Sequence, residues 1–204
     1  MGLAEPVERV RFIQDTAQHS ARQAGLAEIG GRTRRTVAKV SDCTTSDCRL
    51  ACAILVDSRG WLLLQERDKH APVDANKWGL VGGHCDQDES YADAVVREVM
   101  EESELDVLTD PRIRGWQLWW TGDLLVANKT QPHLRDTWQV WVGRADLTDA
   151  DIRCHEGRQI VFVDPQRLDH LQLGHGPSVL VPQFLRSTTY SALRRGNPIP
   201  SGGV

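Results

Sequence analysis

No apolar run in these 204 residues approaches the roughly 20 needed to cross a bilayer, and the N-terminus lacks the apolar core of a secretion signal. A cytoplasmic location with no membrane partner is therefore the expectation. Basic residues are not in surplus: 24 Lys and Arg stand against 28 Asp and Glu, for a net charge of −4. Nonspecific binding to a nucleic-acid polymer is not expected from such a balance. Cysteine is scarce and odd in number at five, which does not read as a disulfide framework. Cys43, Cys48 and Cys52 are separated by four and three residues, without the two-residue knuckle of a zinc site. Cys52 reads instead as a small hydrophobe in a strand. Internal repeats are also missing. What is present is a chain long enough for one domain with a sizeable core and some decoration.

The chain divides into an N-terminal extension and linker (1–47), a central domain (48–192) and a Gly- and Pro-rich tail (193–204). Val7 to Ala24 carries a thin apolar stripe of helical period, Val7, Val10, Phe12 and Ile13, which suits a docking helix or a homodimer contact. Arg32, Arg34 and Arg35 form a short basic cluster that reads as solvated. Leu50 to Val56 and Trp61 to Glu66 are strands around an Asp57–Gly60 turn, and Arg67 to Lys77 is a loop. Gly115 to Trp120, Leu124 to Ala127, Thr137 to Arg144 and Gln159 to Val163 read as further strands. Gln166 to Leu173 is loop or short helix, Gly174 to Pro177 is loop, and Ser178 to Ser191 is a closing helix. Strands, a helix, more strands and a last helix fit an α/β sandwich.

Five of the seven tryptophans, Trp116, Trp119, Trp120, Trp138 and Trp141, fall in two of these strands. Two readings stand: an aromatic wall that stacks a planar group, with Trp119 and Trp141 as its candidates, or packing of the sheet faces.

The chemistry concentrates between Trp78 and Leu105. A glycine pair, Gly82-Gly83, reads as a turn before a helix that starts at Asp88 or Ser90, where Ser90 and Asp93 fit the S-x-x-D capping pattern. At about 100° per residue, Ala92, Val95, Val96, Val99, Met100 and Ser103 fall on one side, the expected buried face. Glu98, Glu101 and Glu102 share another arc near the helix end. Three carboxylates there repel one another and oppose the macrodipole, and a divalent cation removes both objections. A hard, oxygen-seeking ion such as Mg²⁺ or Mn²⁺ suits the set, which points to metal-assisted transfer of a phosphoryl group to water.

The longer spacing is more specific. Gly83, Glu89, Arg97, Glu98, Val99, Glu101, Glu102 and Leu105 match G-x5-E-x7-R-E-U-x-E-E-x-G-U (U, bulky aliphatic) at all nine specified positions but one, where Glu104 replaces glycine. This resembles the Nudix box of the MutT-type Nudix hydrolases. Asp88, where many members have glycine, and Val81, where proline is frequent, are milder departures.

The resemblance implies an α/β/α sandwich with a mixed sheet. It also implies a metal-dependent pyrophosphohydrolase acting on a small-molecule nucleoside diphosphate linked to another moiety. By the same resemblance Glu98, Glu101 and Glu102 bind Mg²⁺ or Mn²⁺ together with the Gly82 carbonyl, while Glu89 and Arg97 hold loop and helix in register. Glu98 is the first choice among the cluster for general base. Glu156, on a loop ahead of a late strand, is a further candidate to complete the metal site or act as base; His155 and His84 rank below it. Arg67 reads either as a ligand of substrate phosphate or as a surface salt bridge. Two other outcomes on the same fold are a nucleotide-sensing module without turnover and an isopentenyl-diphosphate isomerase-like enzyme. The latter would need a catalytic cysteine, for which Cys85 has no supporting pattern.

Overall fold

Strand β1 (Cys48–Val56) is buried throughout its second half, from Ala51 to Val56, and the rest of the fold is assembled around it. The computed structural model describes residues 47–124 and 135–199. The N-terminal helix expected at Val7–Ala24, the arginine cluster, Cys43, the strand residues Leu125–Ala127 and the last five residues of the tail lie outside the described residues.

Strands β2 (Leu62–Glu66), β3 (Trp78–Gly79), β4 (Val81–His84), β5 (Ile113–Leu124), β6 (Asp136–Ala145) and β7 (Gln159–Val163) join β1 in a seven-stranded sheet. Its main order is β3-β2-β1-β6-β5, with β4 added to β1 and β7 to β2. β1 and β6 run parallel in unbroken register from Cys48↔Asp136 to Val56↔Arg144, and the other pairs are antiparallel. A parallel central pair needs cover on both faces, which is why β1 reads as a continuous apolar run.

Side chains alternate across the strands and feed two cores. Ala51, Ala53, Leu55 and Leu63 meet Ala94, Val95 and Val99 of helix α1 (Tyr91–Ser103). Cys52, Ile54, Val56, Leu62 and Leu64 meet Leu180, Val181 and Phe184 of α2 (His175–Leu185) and Tyr190 and Leu193 of α3 (Thr188–Arg195). The result is the expected α/β/α sandwich with a mixed sheet.

Several local expectations are corrected. Gly82 and Gly83 are not a turn but part of β4, opposite Cys52 and Ala51 of β1. Gly82 takes φ +132°, and a Cβ there would lie 2.3 Å from the Ala51 carbonyl oxygen, so glycine is what allows the strands to approach. The segment expected at Gly115–Trp120 is longer, one continuous strand from Ile113 to Leu124 that reaches the first residue of the next expected segment, with register shifts that absorb the irregularity. The closing helix is two helices. Its Gly174–Pro177 prelude is already the N-terminus of α2, where a proline's missing N–H costs nothing, and Ser187 starts α3 by accepting from the Tyr190 N–H at 3.0 Å. Arg194 and Arg195 end α3 rather than opening the tail, and Gly196 at φ +69° closes it.

Candidate active site

Helix α1 begins as the capping pattern predicts: Ser90 Oγ accepts from the Asp93 N–H at 3.1 Å and donates to Asp93 Oδ2 at 2.7 Å. Its buried face is rotated from the expected one. Ala92 and Met100 are exposed, whereas Glu102, only 4% exposed, lies in the buried stripe with Ala94, Val95, Val99 and Ser103. Hydrophobicity alone favours Met100 inside; β4 reverses the preference, because its two glycines leave room for acidic side chains where a larger residue would exclude them. A Cβ on Gly83 would sit 2.9 Å from Glu98 Cδ and 3.0 Å from both carboxylate oxygens. The Gly82 N–H donates to Glu102 Oε2 at 3.0 Å.

Arg97 organises the remainder. Its Nε and Nη2 each donate to the Glu89 carboxylate at 2.9 Å, a two-point contact that fixes the preceding loop, and Nη2 also donates to the His84 carbonyl at 3.0 Å. Nη1 donates to Glu98 at 2.6 Å and to Glu101 at 3.2 Å. The loop is tied from the other side by Arg49, which donates to the Glu89 carbonyl at 2.8 Å and lies over the Tyr91 ring.

The electrostatics separate the glutamates. Glu89, hydrogen-bonded by Arg97, is held below the usual carboxylate range. Burial pushes Glu98 up despite the Arg97 contact, and the Glu101 and Glu156 charges add to the rise. Burial pushes Glu102 up to about 8, with the Gly82 N–H and the Gln65 side chain pulling down and Glu156 and Glu98 pulling up. In turn the Arg97 guanidinium is held more firmly protonated by Glu89 and Glu98. A buried carboxylate of raised pKa beside others is a cluster that a cation would discharge. As they stand, no three His, Cys, Asp or Glu side chains among the described residues are drawn together around a common point. Glu98 and Glu101 are instead turned toward Arg97.

The site extends beyond the helix. Glu156 is brought to the cluster on the loop before β7, its carboxylate 3.9 Å from Arg67 Nη1. Arg67 also donates to the Val73 carbonyl at 3.0 Å, which anchors the β2–β3 loop. His155 points away: its Nε2 lies 2.7 Å from Glu104, while its backbone N–H donates to the Glu102 carbonyl at 2.9 Å. His84 contributes its carbonyl to Arg97. Cys85 is half-buried against the α1-side core, and Cys52, Cys85 and Cys154 are free thiols.

Trp119 and Trp141 are not brought together as one wall. Trp119 is buried edge-on to Phe184, ring centroids 4.9 Å apart, and Trp141 is buried in the opposite core. Sequence reasoning passed over Gln65, which is fully buried beside Glu102; the signal was an amide following Leu62–Leu64 at a core-facing position of β2.

The departures from the box keep its backbone. Glu104 (φ 57°, ψ 21°) and Asp88 (φ 66°) both adopt the left-handed conformation that glycine favours.

Comparison with known proteins agrees with this geometry. The NUDIX domain family matches residues 48–184, more than half of the chain. No curated protein matches. Among solved structures, a MutT protein from Methanosarcina mazei Go1 superposes with a TM-score of 0.53 at 18% identity, over 74% of this chain and 96% of that one. The NUDIX domain of Shewanella oneidensis NrtR complexed with ADP ribose gives 0.53 at 15%, over 68% and 86%. The E. coli dihydroneopterin triphosphate pyrophosphohydrolase gives 0.53 at 16%, over 68% and 97%. Identities this low bear on the fold, while the family match covers the box itself. The chain belongs to the Nudix family and is a Nudix hydrolase, acting on pyrophosphate bonds.

Proposed function

We propose that this Nudix hydrolase is a metal-dependent pyrophosphohydrolase that cleaves the diphosphate bond of a nucleoside diphosphate linked to another moiety. The observation that carries the reading is the pair Glu98 and Glu102, partly to fully buried against Gly82 and Gly83 with their protons held up by burial. Nudix proteins generally use divalent cations, and the donors here fit one. They are all oxygens, and the Glu102 carboxylate accepts a single backbone N–H, which leaves acceptor capacity for a hard ion. Glu98, Glu101, Glu102 and the Gly82 carbonyl would hold Mg²⁺ or Mn²⁺. Such an ion would neutralise the diphosphate and lower the pKa of an attacking water.

The chain's own groups supply the rest. Arg97 and Glu89 keep the β4–α1 loop and the helix in one register, so that the acidic set is presented as a unit. One carboxylate, Glu98 in place of its share in the metal site or else Glu156, accepts a proton from the attacking water. Arg67, at the junction of β2 and the following loop, faces the substrate phosphates, and the small molecule rather than a polymer is the partner. No helix among the described residues is long and apolar enough to cross a membrane.

The test is turnover of a panel of nucleotides, nucleotide sugars and dinucleotides, with ADP ribose included, in millimolar Mg²⁺ or Mn²⁺. Metal-dependent cleavage that disappears in Glu102→Gln is the expected result. Nucleotide binding without turnover on any compound would replace catalysis by sensing.

A further inference from the structure

Strand β2 carries a polar side chain where its pattern calls for an apolar one. Leu63 and Gln65, two residues apart, share the face that meets α1, and Gln65 is 0% exposed. An unpaired amide at such a place is costly, so its partners matter. Nε2 donates to the Glu156 carbonyl at 3.3 Å, and Oε1 accepts from Arg67 Nη1 at 3.4 Å. The same amide faces the Glu102 carboxylate. One side chain thus touches groups from the end of β2, from α1 and from the loop before β7.

The loop is pressed onto the strand by design of the backbone. Gly157 has φ +80°, and a Cβ there would lie 2.6 Å from the Glu66 carbonyl oxygen and 3.3 Å from Gln65 Cγ. The Arg158 N–H donates to the same Glu66 carbonyl at 2.7 Å. With the loop held this close, the Gln65 amide is the polar link between Glu156 and the interior of the site.

We propose that Gln65 is a positioning residue of the hydrolytic site. Its amide holds the Glu156 segment and Arg67 in register with Glu102. An amide can donate and accept at once, so it joins a carbonyl and a carboxylate to a guanidinium, which no aliphatic side chain of the same length can do. This inference rests on the function proposed above. Partners of this kind typically change metal affinity or activity by about 10–100-fold when removed.

The experiment uses the full chain with Gln65→Met, close in size and apolar, and Gln65→Asn, which keeps the amide one methylene short. Mn²⁺ affinity is measured by calorimetry, kcat and KM on the best substrate of the panel, and melting temperature in parallel. Both variants are expected to stay folded, to bind Mn²⁺ about 10-fold more weakly and to lose about 10–100-fold in kcat, with KM within about threefold. Mn²⁺ affinity and kcat within about twofold of the parent would overturn the role. So would losses that merely track the fraction of folded protein, or failure of both variants to fold, since either assigns Gln65 to packing. A parallel Glu98→Gln keeps the two ideas apart. If it is inactive while the Gln65 variants are unaffected, only the Gln65 role falls; if it turns over at the parent rate, the proposed function falls first.

Discussion

The two faces of the sheet are built from the same strands by simple alternation, yet they differ in kind. The face under α2 and α3 is closed and mainly apolar: Phe184 is fully buried, packs edge-on to Trp119 and to Tyr190, and the Tyr190 hydroxyl donates to the Gly60 carbonyl at 2.9 Å. The face under α1 interrupts its core with Gln65 and Glu102 and with the half-buried Glu98. A helix that buries carboxylates gives up apolar contact and takes on a desolvation cost. One layer holds the sheet together, and it is this that lets the other layer keep acids where water is scarce.

The comparison breaks most visibly if each side is altered alone. Phe184→Ala should cost about 3–5 kcal/mol of stability, because the ring leaves a cavity in a packed layer. Activity per folded molecule should hold. Chemical denaturation followed by assay of the folded fraction measures both, and a selective loss of kcat without loss of stability would show that the α2 layer also shapes the site.

A comparable effect sharpens the contrast through pH. In the metal-free protein Glu102 keeps its proton up to about 8, while in the unfolded chain it loses it near the ordinary glutamate value of 4.5. Between those values the folded state binds the extra proton, so this group's contribution to stability is complete below pH 4.5 and declines as pH rises toward 8. The amount is on the order of 5 kcal/mol, at about 1.4 kcal/mol for each pH unit between those two values. Thermal unfolding from pH 5 to 8.5 should therefore show the parent losing ground to Glu102→Gln, and Mn²⁺ at pH 8 should restore the parent but not the variant. Parallel pH curves for the two proteins would mean that Glu102 is already ionised in its buried place.

The sequence made the two layers legible to different depths. The strands of the β1–β2 hairpin, the Ser90 cap and the glutamate set can be read locally, because each rests on neighbours in the chain. Gly82-Gly83 reads as a turn from sequence since its partner, β1, lies 30 residues earlier and glycine pairs are ordinary turn chemistry. The rotation of α1 was hidden for the same reason: burial of Glu102 over Met100 is decided by the space that β4 leaves, not by hydrophobicity along the helix. Trp119 and Trp141 carry no local sign of which layer takes them. Gln65 was visible as an exception to alternation, but an exception means little until its partners, 91 residues away in the case of Glu156, are in place.

The end of α1 offers the smallest test. Glu104 stands where the box has glycine, at φ 57°, and pairs with His155 across an exposed surface. A left-handed residue other than glycine costs about 1–2 kcal/mol, while glycine costs the unfolded chain about 0.5–1 kcal/mol in freedom to be lost. An exposed polar contact of this kind is worth about 0–1 kcal/mol. The three terms nearly cancel, so Glu104→Gly should move stability by no more than about 0.5 kcal/mol in either direction, which is a shift of about 1–2 °C in a chain of this size. Turnover should be unchanged, since neither Glu104 nor the His155 ring reaches the acidic cluster. A loss well above 1 kcal/mol would mean that the His155 contact, and not the backbone, is what this position is selected to make. A fall in kcat would mean that the turn after α1 helps to aim Glu102, whose carbonyl accepts from the His155 N–H, and would extend the polar layer one residue beyond the helix.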